Sequence, residues 1–110
     1  VSDVTGELLD PMTPLDVLAV LHPGGSVTGA PKQAALQQIQ KLEPQPRGAY
    51  CGALGLWRGD RSIFSLLIRT AIKTSTGWTY GVGSGVVYDS DAEMEHHELH
   101  IKLGALGDPN

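Results

Sequence analysis

Tyr50-Cys-Gly-Ala-Leu-Gly-Leu-Trp-Arg-Gly-Asp-Arg-Ser-Ile-Phe-Ser-Leu-Leu-Ile-Arg-Thr-Ala-Ile72 decides the fold. Apolar and β-branched residues run from Tyr50 to Trp57 and again from Ser62 to Ile72, and the polar Arg58-Gly-Asp-Arg61 between them is a turn. A third run, Trp78 to Tyr88, follows the turn residues Thr74-Ser-Thr-Gly77. Short turns joining consecutive strands predict an antiparallel meander. Within the second strand Ile63, Ser65, Leu67, Arg69 and Ala71 point one way and Phe64, Leu66, Ile68, Thr70 and Ile72 the other. That alternation predicts Arg69 on a sheet face in largely apolar company.

Helices are expected on both sides. Upstream, Thr13 can cap a helix from Pro14 to about Leu21, with Pro at its first position and Leu15, Val17, Leu18 and Leu21 on one side. The glycines and prolines of His22 to Pro31 argue against regular structure until a second helix begins at Pro31. Ala35, Leu36, Ile39 and Leu42 recur at helical spacing there, and Pro44 and Pro46 stop the run. Downstream, Asp89-Ser-Asp91 offers a cap for a closing helix from about Ala92 to Leu106, with Met94, Leu99, Ile101, Leu103 and Leu106 as buried candidates. The fold class is α+β, a β-meander with flanking helices, and residues 1–110 read as one segment of a domain.

Composition narrows the function. Eight Lys plus Arg stand against twelve Asp plus Glu, with no basic stripe to follow phosphates, so nucleic acid is not an expected partner. The apolar stretches around Val17 to Leu21 and Leu66 to Ile68 are too short to cross a bilayer. Cys51 is the one cysteine, which excludes an internal disulfide and predicts a buried, reduced thiol, as suits a cytoplasmic protein. Val1-Ser2-Asp3-Val4 resembles the middle of a structured segment, which leads us to expect a chain truncated at its N-terminus.

Four features can carry chemistry, each with a structural reading beside it. The loop Pro23-Gly-Gly-Ser-Val-Thr-Gly-Ala-Pro-Lys32 lets backbone approach a ligand and feeds a helix N-terminus, so it serves either as an anion site or as an ordinary lead into a helix. Arg69, if buried, needs an anion, which either a ligand or a structural glutamate supplies. The glycines of Gly81-Val-Gly-Ser-Gly85 weaken a strand unless a ligand, a helix or a bulge lies against it. Glu95, Glu98 and Lys102 share one helix face, as a hard-cation site would require and as a solvated Glu–Lys pair would also arrange. His96, His97 and His100 lack the metalloprotease spacing and read as surface residues.

In this order these stretches resemble the chorismate-binding enzymes, which include anthranilate, aminodeoxychorismate, isochorismate and salicylate synthases. The resemblance covers His22 to Lys32, Leu42 to Tyr50, Ile68-Arg-Thr70, Gly83 to Val87, Asp89 to Asp91, and Glu95, Glu98 and Lys102. It implies that residues 1–110 are a C-terminal segment of a chorismate-binding domain and that the meander is part of the larger sandwich of chorismate-utilising enzymes. It further implies that Tyr50, Arg69 and Lys102 hold chorismate oxygens, that the backbone of Gly83 and Gly85 lines the ring pocket, and that Ser26 takes the polar position at the loop. Glu95 and Glu98 would ligate Mg²⁺.

Within the family the loop form is most similar to aminodeoxychorismate synthase, which implies amination of chorismate with ammonia from a glutamine amidotransferase partner on the way to p-aminobenzoate and folate. Anthranilate synthase component I is the alternative, and a non-catalytic binding or assembly module is a third. Ala92, Ser84 and the His96-His97 pair depart from the usual family residues. Family members are several times longer and carry a catalytic histidine upstream of a Val-Ser segment like Val1-Ser2, so no catalytic residue is expected within this chain and the isolated chain is expected to be inactive. A chain lacking its covering half would also expose a sheet face and self-associate.

Overall fold

A computed structural model describes residues 2–104 and Gly107. Thr13 opens the first helix, α1 (Pro14–Leu21), as the sequence predicts: its Oγ1 accepts the Asp16 N–H while the Asp16 carboxylate accepts the Thr13 N–H, a reciprocal cap. The following loop holds one helical turn, α2 (Gly25–Thr28), where none was expected. The Thr28 hydroxyl closes that turn on the Gly24 carbonyl at 2.9 Å. Glycines here permitted the turn and did not prevent it. Helix α3 (Lys32–Leu42) follows, and Lys32 Nζ reaches back to the Val20 and Leu21 carbonyls, satisfying the open end of α1.

Strands β1 (Ala53–Arg58) and β2 (Arg61–Leu66) form one antiparallel hairpin, with Ala53 opposite Leu66 and Arg58 opposite Arg61. Strands β3 (Ala71–Thr74) and β4 (Gly77–Tyr80) form a second, with Ala71 opposite Tyr80. The expected long second strand is therefore two strands, and the meander is two hairpins in succession. Its break has a local cause. Both Cys51 and Gly52 oppose Leu67: the Cys51 N–H donates to the Leu67 carbonyl and the Leu67 N–H to the Gly52 carbonyl, each at 2.9 Å. This is a bulge, with Cys51 in the left-handed conformation at φ 64° where glycine usually stands. Just beyond it Arg69 is also left-handed, at φ 49°, and turns the chain out of the ladder.

The third expected strand likewise ends early, at Tyr80, and residues 81–87 run on without ladder partners. Helix α4 (Ala92–Gly104) starts where Asp91 Oδ1 accepts the N–H groups of Glu93 and Met94, each at 3.0 Å. Leu106, placed by the sequence at the end of this helix, lies outside the described residues.

Burial is the surprise. Cys51, 7% exposed, is the one buried hydrophobic residue among those described, while Met94 and Ile101, expected in the core, are 74% and 63% exposed. Of the α4 candidates only Leu99 is half-buried without a large exposed surface. The accessible surface is 9652 Å², against roughly 5,900 Å² for a folded monomer of this mass. The radius of gyration is 16.6 Å, against about 13 Å for a folded domain of this length. Leu54, Leu56 and Ile63 share an open face of the first hairpin, so the helical and strand periodicities are correct but the surfaces they create have nothing packed on them. The isolated chain is accordingly expected to bind a hydrophobic dye strongly and to sediment as oligomers; a monomer with a sharp cooperative thermal transition would contradict this reading of its exposed faces.

Candidate functional site

The site is built around Tyr50. Its ring lies on the glycine-rich stretch after β4: a Cβ on Gly81 would overlap Cγ and Cδ2 of Tyr50, and one on Gly83 would fall 2.8 Å from its hydroxyl oxygen. Gly81 and Gly83 are glycines because the tyrosine occupies their side-chain space. Gly85 differs, with nothing within 4 Å of the corresponding position. The N–H groups of Gly83 and Gly85 have no backbone partner among the described residues.

The same Gly83 connects to α4. Its carbonyl accepts a hydrogen bond from Lys102 Nζ at 2.7 Å, and Lys102 is also paired with Glu98 one turn earlier. The helical Glu–Lys pair read from the spacing is therefore formed, and the same ammonium also reaches the glycine segment. Glu95 stands one turn before Glu98 and is half-buried. Its Oε1 accepts the Ser90 hydroxyl at 2.6 Å, and Ser90 Oγ in turn accepts the Val87 N–H at 2.9 Å. The hydrogen bond from Ser90, with a lesser contribution from the nearby Ser84 hydroxyl, holds the Glu95 carboxyl below its ordinary value. The serine at 84, a departure from the family pattern, therefore faces the first candidate metal ligand.

Glu95 Oε2 is shielded and has no hydrogen-bond partner. An occluded carboxylate oxygen without a donor suits a hard cation. Among the described residues no three His, Cys, Asp or Glu side chains converge, and the Glu98 carboxylate is engaged by Lys102. The histidines fit the surface reading: His96 and His100 stack edge to face at 4.7 Å and are exposed.

Two predicted residues lie elsewhere. Arg69 is exposed at the left-handed turn after β2 and forms no hydrogen bond or ion pair among the described residues, which corrects its expected position on a sheet face. Leu67, opposite the bulge, is the last residue bonded across the hairpin, and the left-handed φ of Arg69 takes the chain off the ladder. Ser26 is exposed on α2. That turn is nonetheless tied to the site by a residue the sequence reading passed over, Arg47, whose Nη1 donates to the Val27 carbonyl at 2.6 Å. Nε and Nη2 of Arg47 grip the Glu43 carboxylate, at 2.9 and 2.6 Å, and the guanidinium lies 5.9 Å from the Tyr50 ring centre. The available signal was Glu43 and Arg47 four residues apart beside Tyr50, but the prolines between them argued against any helical pairing. A concavity of about 580 Å³ at the tip of the first hairpin, between Leu56, Arg58, Asp60 and Arg61, contains none of the candidate site residues.

Residues 1–108 match the family described as chorismate binding enzyme. The chain belongs to the chorismate-binding enzyme family. It is 40% identical over 107 residues to anthranilate synthase component 1 of Neisseria meningitidis serogroup B, covering 96% of this chain and 22% of that protein. The protein of the same name from Bacillus caldotenax is 44% identical over 108 residues, 96% of this chain and 21% of the relative. That from Methanothermobacter marburgensis is 42% identical over 106 residues, 96% and 23%. This chain thus spans about a fifth of the length of the curated relatives it matches. No described helix is long and apolar enough to cross a membrane.

Two outcomes test the site in the full-length gene product. Gly83→Ala forces the Tyr50 phenol aside and is expected to lower stability by about 1–3 kcal/mol, whereas Gly85→Ala, in open space, stays within about 0.5 kcal/mol; thermal denaturation measures both. The Arg47 guanidinium holds the Glu43 carboxyl below its ordinary 4.5. A depressed carboxyl contributes stability that is full above that value and lost as pH falls below it. Glu43→Gln is therefore expected to flatten the stability profile below pH 4.5, read from denaturant midpoints across an acid series.

Proposed function

We propose that this chain forms the chorismate-binding wall of an anthranilate synthase component I. The observation that carries the reading is the contact line from Tyr50 through Gly83 to Lys102, with Glu95 and Glu98 on the same helix. Chorismate is a dianion carrying a ring hydroxyl. Recognition therefore calls for fixed donors: the Lys102 ammonium, the Tyr50 hydroxyl and the free N–H groups of Gly83 and Gly85. Lys102, already held by Glu98 and the Gly83 carbonyl, has one further donor for a substrate oxygen. Arg69, exposed on the turn after β2, and Ser26, exposed on α2, make no contact with this group here and are the further polar side chains that the family resemblance assigns to the same ligand. Burial raises the Tyr50 phenol, which keeps it a protonated donor at neutral pH.

Glu95 and Glu98 would hold Mg²⁺, with Glu95 Oε2 as its unpartnered oxygen. Bound there, the ion would neutralise charge on the ring carboxylate and favour departure of the ring hydroxyl. In this reading ammonia delivered by a glutamine amidotransferase adds to the ring, pyruvate leaves and anthranilate results. The curated relatives support this choice, since those compared carry the anthranilate synthase name. The loop Pro23 to Lys32 favours a second reading, aminodeoxychorismate synthase, in which ammonia replaces the ring hydroxyl and a lyase later releases p-aminobenzoate. A buried, reduced Cys51 accords with a cytoplasmic enzyme.

Incubating the full-length gene product with chorismate, Mg²⁺ and ammonium is expected to yield anthranilate without added lyase, identified by chromatography and mass. Appearance of p-aminobenzoate only when lyase is present would move the assignment to the second reading, and no aminated product under either condition would contradict both. The isolated chain is expected to form none.

A further inference from the structure

Arg47 has no part in the recognition described above, yet it joins three segments that are separate in sequence. Its Nε and Nη2 hold the carboxylate of Glu43, at the end of α3. Nη1 points elsewhere, to the Val27 carbonyl at 2.6 Å and the Cys51 sulfur at 3.5 Å. The guanidinium also flanks the Tyr50 ring. This use of separate edges of one planar group is beyond a lysine, whose ammonium is a single point on a flexible stem.

The joint lies beside strained backbone. Cys51 is left-handed next to Arg47, and a Cβ on Gly52 would meet the Ala49 carbonyl oxygen at 2.8 Å. Such conformations persist only where surrounding contacts determine them. Glu43 and Arg47 provide those contacts on one side and the Leu67 backbone on the other.

We propose that Arg47, oriented by Glu43, is a positioning residue for chorismate binding. It fixes the Tyr50 ring against Gly81 and Gly83, and it tethers the α2 turn bearing Ser26 through the Val27 carbonyl, so that both present their polar groups to one ligand. The role rests on the chorismate reading of Tyr50.

The test is a double-mutant cycle in the full-length gene product, with Arg47→Lys, Tyr50→Phe and the double variant, read as the dissociation constant for chorismate. A second readout needs no substrate: the alkylation rate of Cys51, located by mass spectrometry, with Glu43→Gln as a milder variant that keeps the fold. Each single substitution is expected to weaken chorismate binding about tenfold, the scale of one hydrogen bond to a charged group. The double variant should also lose about tenfold, because coupled residues are not additive. Cys51 should alkylate several-fold faster in Arg47→Lys and Glu43→Gln and at the wild-type rate in Tyr50→Phe. Multiplicative losses with unchanged Cys51 protection would overturn the positioning role while leaving the chorismate reading intact. A wild-type protein that keeps Cys51 protected but binds no chorismate would overturn the chorismate reading itself.

Discussion

The forked guanidinium of Arg47 is the constraint on which the site depends. Without it, the α2 turn, the end of α3 and the bulge leading into β1 have no shared polar anchor, because no core packs them together. A planar group with donors on several edges can satisfy a carboxylate and a carbonyl at once and still lie beside an aromatic ring. From there the connection passes by shape, not charge. Tyr50 occupies space that Gly81 and Gly83 leave vacant, and the Gly83 carbonyl passes the link to Lys102. The Ser90 hydroxyl then sets Glu95, and Lys102 sets Glu98.

This chain of contacts sits in a segment that scarcely buries itself. Hydrophobic burial, the usual source of stability, is nearly absent among the described residues, so polar contacts and backbone ladders hold local shape. The exposed strand residues Leu54, Leu56 and Ile63 have the alternation of a sheet that is covered on that face. The proposed binding wall would need a second surface to complete a pocket, and the apolar faces supply area on which such a surface could rest.

Much of the local structure was legible in the sequence, and the particular residues show why. Thr13-Pro14 and Asp91 carry cap chemistry that acts within one turn, so both helix starts were readable. The two polar turns fixed the two hairpins. The break in the second strand was not readable, because nothing in Leu67-Ile-Arg-Thr70 opposes β structure; it follows the bulge at Cys51 and comes where Arg69 itself turns left-handed, a conformation usually left to glycine. Burial also escaped, since periodicity reveals which face is apolar and not whether anything covers it. At the site, the resemblance brought out Tyr50, Gly83, Glu95, Glu98 and Lys102, which the fold gathers around the glycine segment and α4. It placed Arg69 and Ser26 beside them, whereas here both are exposed and make no contact with that group. Arg47 was missed because Pro44 and Pro46 argued against its pairing with Glu43, and its other partners, a carbonyl, a thiol and a ring face, leave no pattern in sequence.

The most direct test of this account is a crystal structure of the full-length gene product soaked with chorismate. The account predicts chorismate oxygens within hydrogen-bond distance of Tyr50 Oη and Lys102 Nζ, with Arg47 still bridging Glu43 and the Val27 carbonyl. Chorismate bound away from the Tyr50–Gly83–Lys102 line, or Tyr50 swung off the glycine segment to admit it, would contradict a preformed wall held by Arg47.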